Sequence, residues 1–280
     1  MKVLVTGAAG QLGFDVLKEL NKRSIEAIPA DKAEFDLTDA AQTAAFVAVH
    51  RPDAVIHCAA YTAVDKAEEE EALCRAINAG GTKNLVDACR GLDVKFVYIS
   101  TDYVFDGTKE LPYEVDDPIR PLSVYGATKA EGEAAVRHGI EKHFIVRTSW
   151  VFGQNGSNFV KTMLRLSKER DELKVVCDQV GSPTYTPDLA RLLCDLLNSD
   201  KYGTYFATNE GFCSWAEFAA EIMRQSGSRT KIVPIPSAEY PTKAVRPLNS
   251  RLSKQALRDA GFEPLPPWPD ALKRFLDEIG

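Results

Sequence analysis

The chain has 280 residues, of which 45% are hydrophobic and 26% charged, a balance that excludes extensive disorder. This length allows one large α/β domain, or a large domain with a smaller one. The formal net charge of -6 gives no reason to expect a nucleic-acid or anionic-membrane partner.

No run approaches the ~20 apolar residues that span a bilayer. The apolar opening from Met1 to Thr6 is too short for a signal peptide, so a cytoplasmic enzyme without a membrane partner is expected. The six cysteines, Cys58, Cys74, Cys89, Cys177, Cys194 and Cys213, show no CxxC spacing and read as reduced thiols. The four histidines show no metal-ligand spacing, and no metal ligand is assigned.

In chain order, Lys2 to Thr6 reads as a buried strand and Gln11 to Asn21 as a helix with Leu12, Val16, Leu17 and Leu20 on one face. Ile25 to Ala30 is a second strand, Ala40 to His50 a helix, and Ala54 to Cys58 a third strand. Glu68 to Arg90 reads as one long helix, Lys95 to Ser100 as a strand, Val124 to Arg137 as a helix and His143 to Arg147 as a fifth strand. Nearly continuous apolar strands alternating with helices predict a Rossmann-like, doubly wound parallel sheet. After about Trp150 the rhythm changes. Helices are expected over 159–168, 189–198 and 215–225, a strand over 174–177, and proline is dense from Pro234 to Pro269. The reading is a dinucleotide-binding domain over 1–150, to which 174–200 could return, and a smaller C-terminal α/β substrate lobe over 151–280.

The first strand runs into Gly7-Ala8-Ala9-Gly10-Gln11-Leu12-Gly13. In that GxxGxxG spacing Gly7 allows the tight turn, Gly10 admits a pyrophosphate, and Gly13 lets helix and strand pack closely. The phosphates would meet the helix start near Gln11 and Leu12. Asp31 ends the second strand, where a carboxylate can accept from ribose hydroxyls and favour NADH. Lys32 could pair with a 2′-phosphate, so NADPH stays open. By analogy with similar folds Asp36 and Leu37 are placed to touch adenine, and the small residues Ala59 and Ala60, with Tyr61, would let the dinucleotide lie against the third strand's end.

Tyr125-Gly126-Ala127-Thr128-Lys129 is a YxxxK spacing at a helix start, which puts both side chains on one face. A tyrosine is a poor acid-base at neutral pH unaided. A nearby ammonium would favour the phenolate, and Lys129 could also hold a nicotinamide ribose. The fourth strand ends in Ser100-Thr101-Asp102, at the sheet edge where ligands bind. Thr101 could donate to a substrate carbonyl and Asp102 could contact substrate.

Together these residues resemble the extended short-chain dehydrogenase/reductase superfamily. More narrowly, the chain resembles the dTDP-4-dehydrorhamnose reductases. The features that carry this are Thr62 to Glu68, Ser100 to Gly107, Val124-Tyr125-Gly126 with Lys129, Arg147 to Trp150, Asn158-Phe159, Asp178-Gln179 with Gly181 and Pro183-Thr184, and Arg246-Pro247 with Asn249 to Leu252. The resemblance implies NADPH- or NADH-dependent reduction of the C4 ketone of a nucleotide sugar. It makes Tyr125 the proton donor, tuned by Lys129, with Thr101 orienting the carbonyl. Trp150 and Asn158 would line the sugar pocket, and Arg246 and Arg251 would bind the diphosphate. Some members hold Mg²⁺ at a dimer contact of acidic side chains, where Asp15 is a candidate position, and monomer and homodimer both stay open. Tyr103 stands where dehydratases of the superfamily carry glutamate, which argues against dehydration. An epimerase or dehydratase acting on another nucleotide sugar, or a non-catalytic regulatory subunit of the same fold, are the other readings. The intact tyrosine and lysine rank the subunit far lower.

Overall fold

The computed structural model describes residues 1–280. Six parallel strands make the main sheet: β1 (Lys2–Thr6), β2 (Glu26–Ala30), β3 (Ala54–His57), β4 (Lys95–Thr101), β5 (His143–Thr148) and β6 (Gly203–Phe206). Their order is β6-β5-β4-β3-β1-β2, so the direction of winding reverses between β1 and β3. At such a reversal the loops leaving the strand ends part and open a crevice.

Both faces of the sheet are covered because successive side chains of each strand point to opposite sides. Val3 and Val5 face one way, with Ile56, Val97, Phe144 and Val146, against Leu12, Val16 and Leu20 of the helix Gln11–Lys22 and the leucines of the helix Thr186–Leu197. Leu4 faces the other way, with Val55, Phe96, Tyr98 and Ile145, against Val47, Leu85, Val86 and Val136. Those four come from the helices Ala40–His50, Thr82–Cys89 and Val124–Gly139. Burying each such large apolar side chain contributes about 1.5–3 kcal/mol. Local signals set the helix starts. Asp39 accepts from the amides of Ala41 and Gln42, and Ser123 accepts from Gly126 at the head of Val124–Gly139.

The smaller lobe has its own aromatic core of Phe152, Tyr185, Phe218 and Phe275. Its strand Glu172–Val176 pairs with Lys231–Ile235, and not with the main sheet. Residues 186–197 and 203–206 do lie on the main sheet. The 174–200 stretch is thus divided between the two layers.

Several elements differ from the sequence reading, among them the unexpected helix Trp268–Ile279 and strand Lys231–Ile235. The expected helix over 68–90 runs without interruption only from Glu71 to Cys89, with a π-helical segment at Ala76–Gly81, and a separate short helix, Val64–Ala67, precedes it. A Cβ on Gly81 would stand 2.8 Å from the Leu37 side chain, so the glycine lets this segment approach the loop after β2. Strand β6 was not expected. It is four residues long, sits at the sheet edge and carries little pattern of its own.

Candidate active site

The turn after β1 is built for close approach. Gly7 has φ +65, and the amide of Gly10 donates to its carbonyl over 3.0 Å. A Cβ on Gly7 would come within 2.8 Å of the Ala59 backbone, and one on Gly13 within 2.1 Å of the Gly7 carbonyl. Gly13 thus serves helix–strand contact and does not line the cavity beyond. The helix Gln11–Lys22 begins at Gly10 with no side-chain cap, which leaves its first amides free for an anion.

That cavity has a volume of about 930 Å³ and runs along the carboxyl ends of the strands. At one end it is lined by Gly7, Gly10, Gln11, Leu12, Asp31, Lys32, Asp36, Leu37, Ala59 and Ala60. Asp31 accepts from the Ala9 amide over 2.8 Å and fixes the glycine turn. Asp36 accepts from the Thr38 amide and hydroxyl, which hold its carboxyl below the usual range. The size, the side-chain-free turn and the uncapped helix start fit a dinucleotide.

The other end holds Ser100, Thr101, Asp102, Tyr103, Tyr125, Lys129, Ser149, Trp150 and Trp215. β4 carries Thr101 to the sheet edge, and the Ser123-capped helix presents Tyr125 and Lys129 one turn apart. Thr101 donates to Asp102 over 2.9 Å, and its hydroxyl also faces the Tyr125 phenol. Burial pushes Tyr125 up from its ordinary value, and the Thr101 hydroxyl opposes this. Lys129 is 3% exposed, and burial pushes it down to about 7 against the opposing pull of Glu133. Lys129 is not among the groups that act on the Tyr125 phenol, so the expected pull toward the phenolate is not seen and burial leaves Tyr125 protonated. Burial also raises Asp102 to about 6, and its Oδ2 is buried without a hydrogen-bond partner.

Other expected site residues lie outside the cavity lining. Tyr61 gives its hydroxyl to Glu70 over 2.6 Å and its amide to Asn78. Asn158 caps the helix Phe159–Ser167, accepting from Lys161, and donates to Gln11 and Gly153. Arg246 is held by both oxygens of Asp65, over 2.9 and 2.7 Å. Arg251 donates to Asn249 and to the Glu110 carbonyl. Both guanidiniums are engaged within the protein, whereas the sequence reading had them on the substrate diphosphate. Trp215 and Phe35 were missed: each looks like an ordinary core residue in sequence, and only the tertiary fold brings it to the cavity.

At Asp15, the expected position of a divalent cation, the single chain supplies a lysine. Asp15 is 2% exposed and accepts from Thr186. The Lys18 ammonium stands 3.7 Å from Asp15 and 3.2 Å from Glu278, taking the place a cation would hold between them. No three side chains of His, Cys, Asp or Glu converge as a ligand set.

Residues 1–280 match the family model described as RmlD substrate binding domain. The spore coat polysaccharide biosynthesis protein SpsK of Bacillus subtilis (strain 168) is 42% identical, over 99% of this chain and 97% of its own length. A dTDP-4-dehydrorhamnose reductase of Streptomyces griseus is also 42% identical, over 96% of this chain and 91% of its own. The crystal structure of dTDP-4-dehydrorhamnose reductase from Bacillus anthracis in complex with NADP matches with a TM-score of 0.96 and 44% identity, over 99% of each chain. With its glycine turn, its Thr101, Tyr125 and Lys129 around one cavity, and this similarity along its whole length, the chain belongs to the RmlD substrate binding domain family, that of the dTDP-4-dehydrorhamnose reductases.

Proposed function

We propose that the chain is an NAD(P)H-dependent reductase that converts dTDP-4-dehydro-β-L-rhamnose to dTDP-L-rhamnose, the last step of dTDP-rhamnose biosynthesis. The observation that carries the reading is the convergence of Thr101, Tyr125 and Lys129 at the end of a cavity whose other end is a glycine turn.

The turn Gly7 to Gly10 and the helix start at Gln11 and Leu12 hold the pyrophosphate. Asp31 meets the adenosine ribose, Asp36 and Leu37 flank the adenine, and Ala59 and Ala60 let the dinucleotide lie flat on β3. The reduced nicotinamide, when bound, supplies a hydride to the sugar's C4. Thr101 donates to the ketone oxygen and orients it. Tyr125, kept protonated by burial, gives its phenolic proton to that oxygen as the carbonyl is reduced. The Lys129 ammonium lies on the same helix face and stabilises the phenolate left behind. Asp102, with one buried oxygen free, accepts from a sugar hydroxyl, and Trp150 gives the ring an apolar face. Tyr103 is half-buried and its phenol is pushed up, and as a tyrosine it offers no carboxylic acid to protonate a departing hydroxyl.

The division we propose puts 1–150 with 186–206 in the dinucleotide-binding layer and the remainder in the substrate lobe. The working state is a monomer or homodimer in the cytoplasm. No helix is long and apolar enough to cross a membrane. The test is NADH and NADPH oxidation with dTDP-4-dehydrorhamnose. Ketone-dependent oxidation supports the reading, and none with either cofactor removes it.

A further inference from the structure

Behind the site, three elements meet at one buried carboxylate. Glu133 is 1% exposed and lies one turn beyond Lys129 on the helix Val124–Gly139. Its Oε1 accepts from the Ser100 hydroxyl over 2.5 Å and from Arg147 Nε over 2.8 Å. Its Oε2 accepts from Arg147 Nη2 over 2.7 Å, with the more exposed Arg137 3.6 Å away. Arg147 is itself 1% exposed, lies against the Phe105 and Phe206 rings and donates to the Val115 carbonyl. Ser100 directly precedes Thr101 on β4, and Arg147 directly precedes Thr148 on β5.

A buried ion pair is a poor way to join a helix to two strands. Apolar side chains of the same volume do this as well or better, because two charges must be stripped of water. What the pair supplies and apolar packing cannot is a carboxylate held one turn from Lys129 and an acceptor for Ser100. We propose that Glu133 is a positioning residue for the reaction: clamped by Arg147, it anchors the Ser100 hydroxyl behind Thr101 and supplies the carboxylate charge that keeps the Lys129 ammonium in place.

The surroundings of Lys129 leave that task to Glu133. From β3 come His57 and Cys58, from the helix Glu71–Arg75 comes Cys74, from β4 comes Tyr98, and from its own helix come Tyr125 and Glu133. Burial keeps His57 neutral, pushed down to about 3, and raises the thiol of Cys58 to about 12. Tyr98 offers only its ring face, 4.1 Å from the ammonium, and burial keeps its phenol protonated. Glu133 is the one carboxylate among the groups that act on Lys129.

The role in turnover rests on the reductase reading, so the test has a readout that does not need turnover. Carbon-13 NMR follows the titration of the Lys129 side chain in the ligand-free protein, beside the pH profile of kcat. Glu133→Gln is expected to lower the Lys129 midpoint, and with it the alkaline limb of kcat, by about one pH unit or more. Glu133→Asp, which keeps the charge, restores most of both. Should Glu133→Gln fail to fold, the E133Q/R147M double variant removes both charges, and a smaller downward shift is expected. A Lys129 midpoint unmoved in the folded variant overturns the proposal. Wild-type protein without turnover removes the reductase reading instead, and the titration still decides what Glu133 does to Lys129.

Discussion

Trp150 lies stacked on Trp215, with ring centroids 3.7 Å apart and planes 16° from parallel. Trp150 holds φ 49, a left-handed backbone that a bulky residue adopts only under constraint. Part of that constraint is visible. Trp215 covers one ring, and a Cβ on Gly181 would come within 3.0 Å of Trp150. Phe159 lies 4.6 Å from Trp215 and backs the pair.

Trp215→Leu removes the stacking partner and leaves Thr101, Tyr125 and Lys129 untouched. An aromatic pair is worth about 0.5–1.5 kcal/mol beyond its buried area, so KM for the nucleotide sugar should rise roughly 2- to 10-fold with kcat nearly unchanged. Steady-state kinetics read this directly. A loss confined to kcat would place the tryptophan with the reacting groups.

Tyr125→Phe removes the phenolic proton and keeps the ring against Tyr103, 5.5 Å away. Turnover should fall by about 10²–10⁴ while dinucleotide still binds. Fluorescence titration of NADPH, run beside the assay, separates the two effects. Near-normal turnover would take the proton-donor role from Tyr125.

Asp31 has two tasks that one substitution can separate. Its carboxylate fixes the glycine turn through the Ala9 amide, and it stands where a ribose hydroxyl would donate. Losing the turn anchor should weaken both cofactors. Losing the ribose acceptor weakens NADH alone. Asp31→Ala should therefore raise the KM for NADH more than that for NADPH, by roughly 10-fold, the worth of a hydrogen bond to a charged group. An equal rise for both would leave Asp31 as a turn anchor only.

Lys129 makes the ligand-free protein sensitive to pH. Its folded value of about 7 lies below the ordinary 10.5, so between those values the unfolded chain binds the extra proton. By linkage, stability then rises with pH across that window, and the burial penalty is felt in full below about pH 7. Lys129→Met should abolish turnover yet raise the melting temperature, with the largest gain at pH 7 and below. Asp102 works in the opposite sense. Its value of about 6 lies above the ordinary 3.8, so its contribution falls as pH rises between them. Thermal melts of both proteins across pH check the Lys129 effect, and a variant less stable than wild type at pH 6 would refute it.

Some of this was legible in the sequence because it is local. The glycine turn is legible because Gly7 and Gly13 sit where a Cβ would strike backbone, a demand that only glycine meets. The Tyr125 and Lys129 pair is legible because one helical turn fixes its geometry. The close approach of Gly81, within the π-helical segment Ala76–Gly81, to Leu37 was not, because Leu37 lies far away in the chain. Arg246 and Arg251 were expected at the diphosphate on the resemblance and the fork geometry of a guanidinium. Their partners, Asp65, Asn249 and the Glu110 carbonyl, come together only in the folded chain. Trp215 and Glu133 lacked any local signal, since an aromatic or acidic residue on an amphipathic helix is ordinary, and tertiary packing alone makes them neighbours of the site.

The most direct measurement is isotopic. The protein is given dTDP-4-dehydrorhamnose and NADPH or NADH carrying deuterium at the transferable position of the nicotinamide, and the sugar product is examined by NMR. One deuterium at C4 of dTDP-L-rhamnose is the expected result. A product without label at C4, a different sugar, or no product while the cofactor binds would contradict reduction of that ketone by this chain.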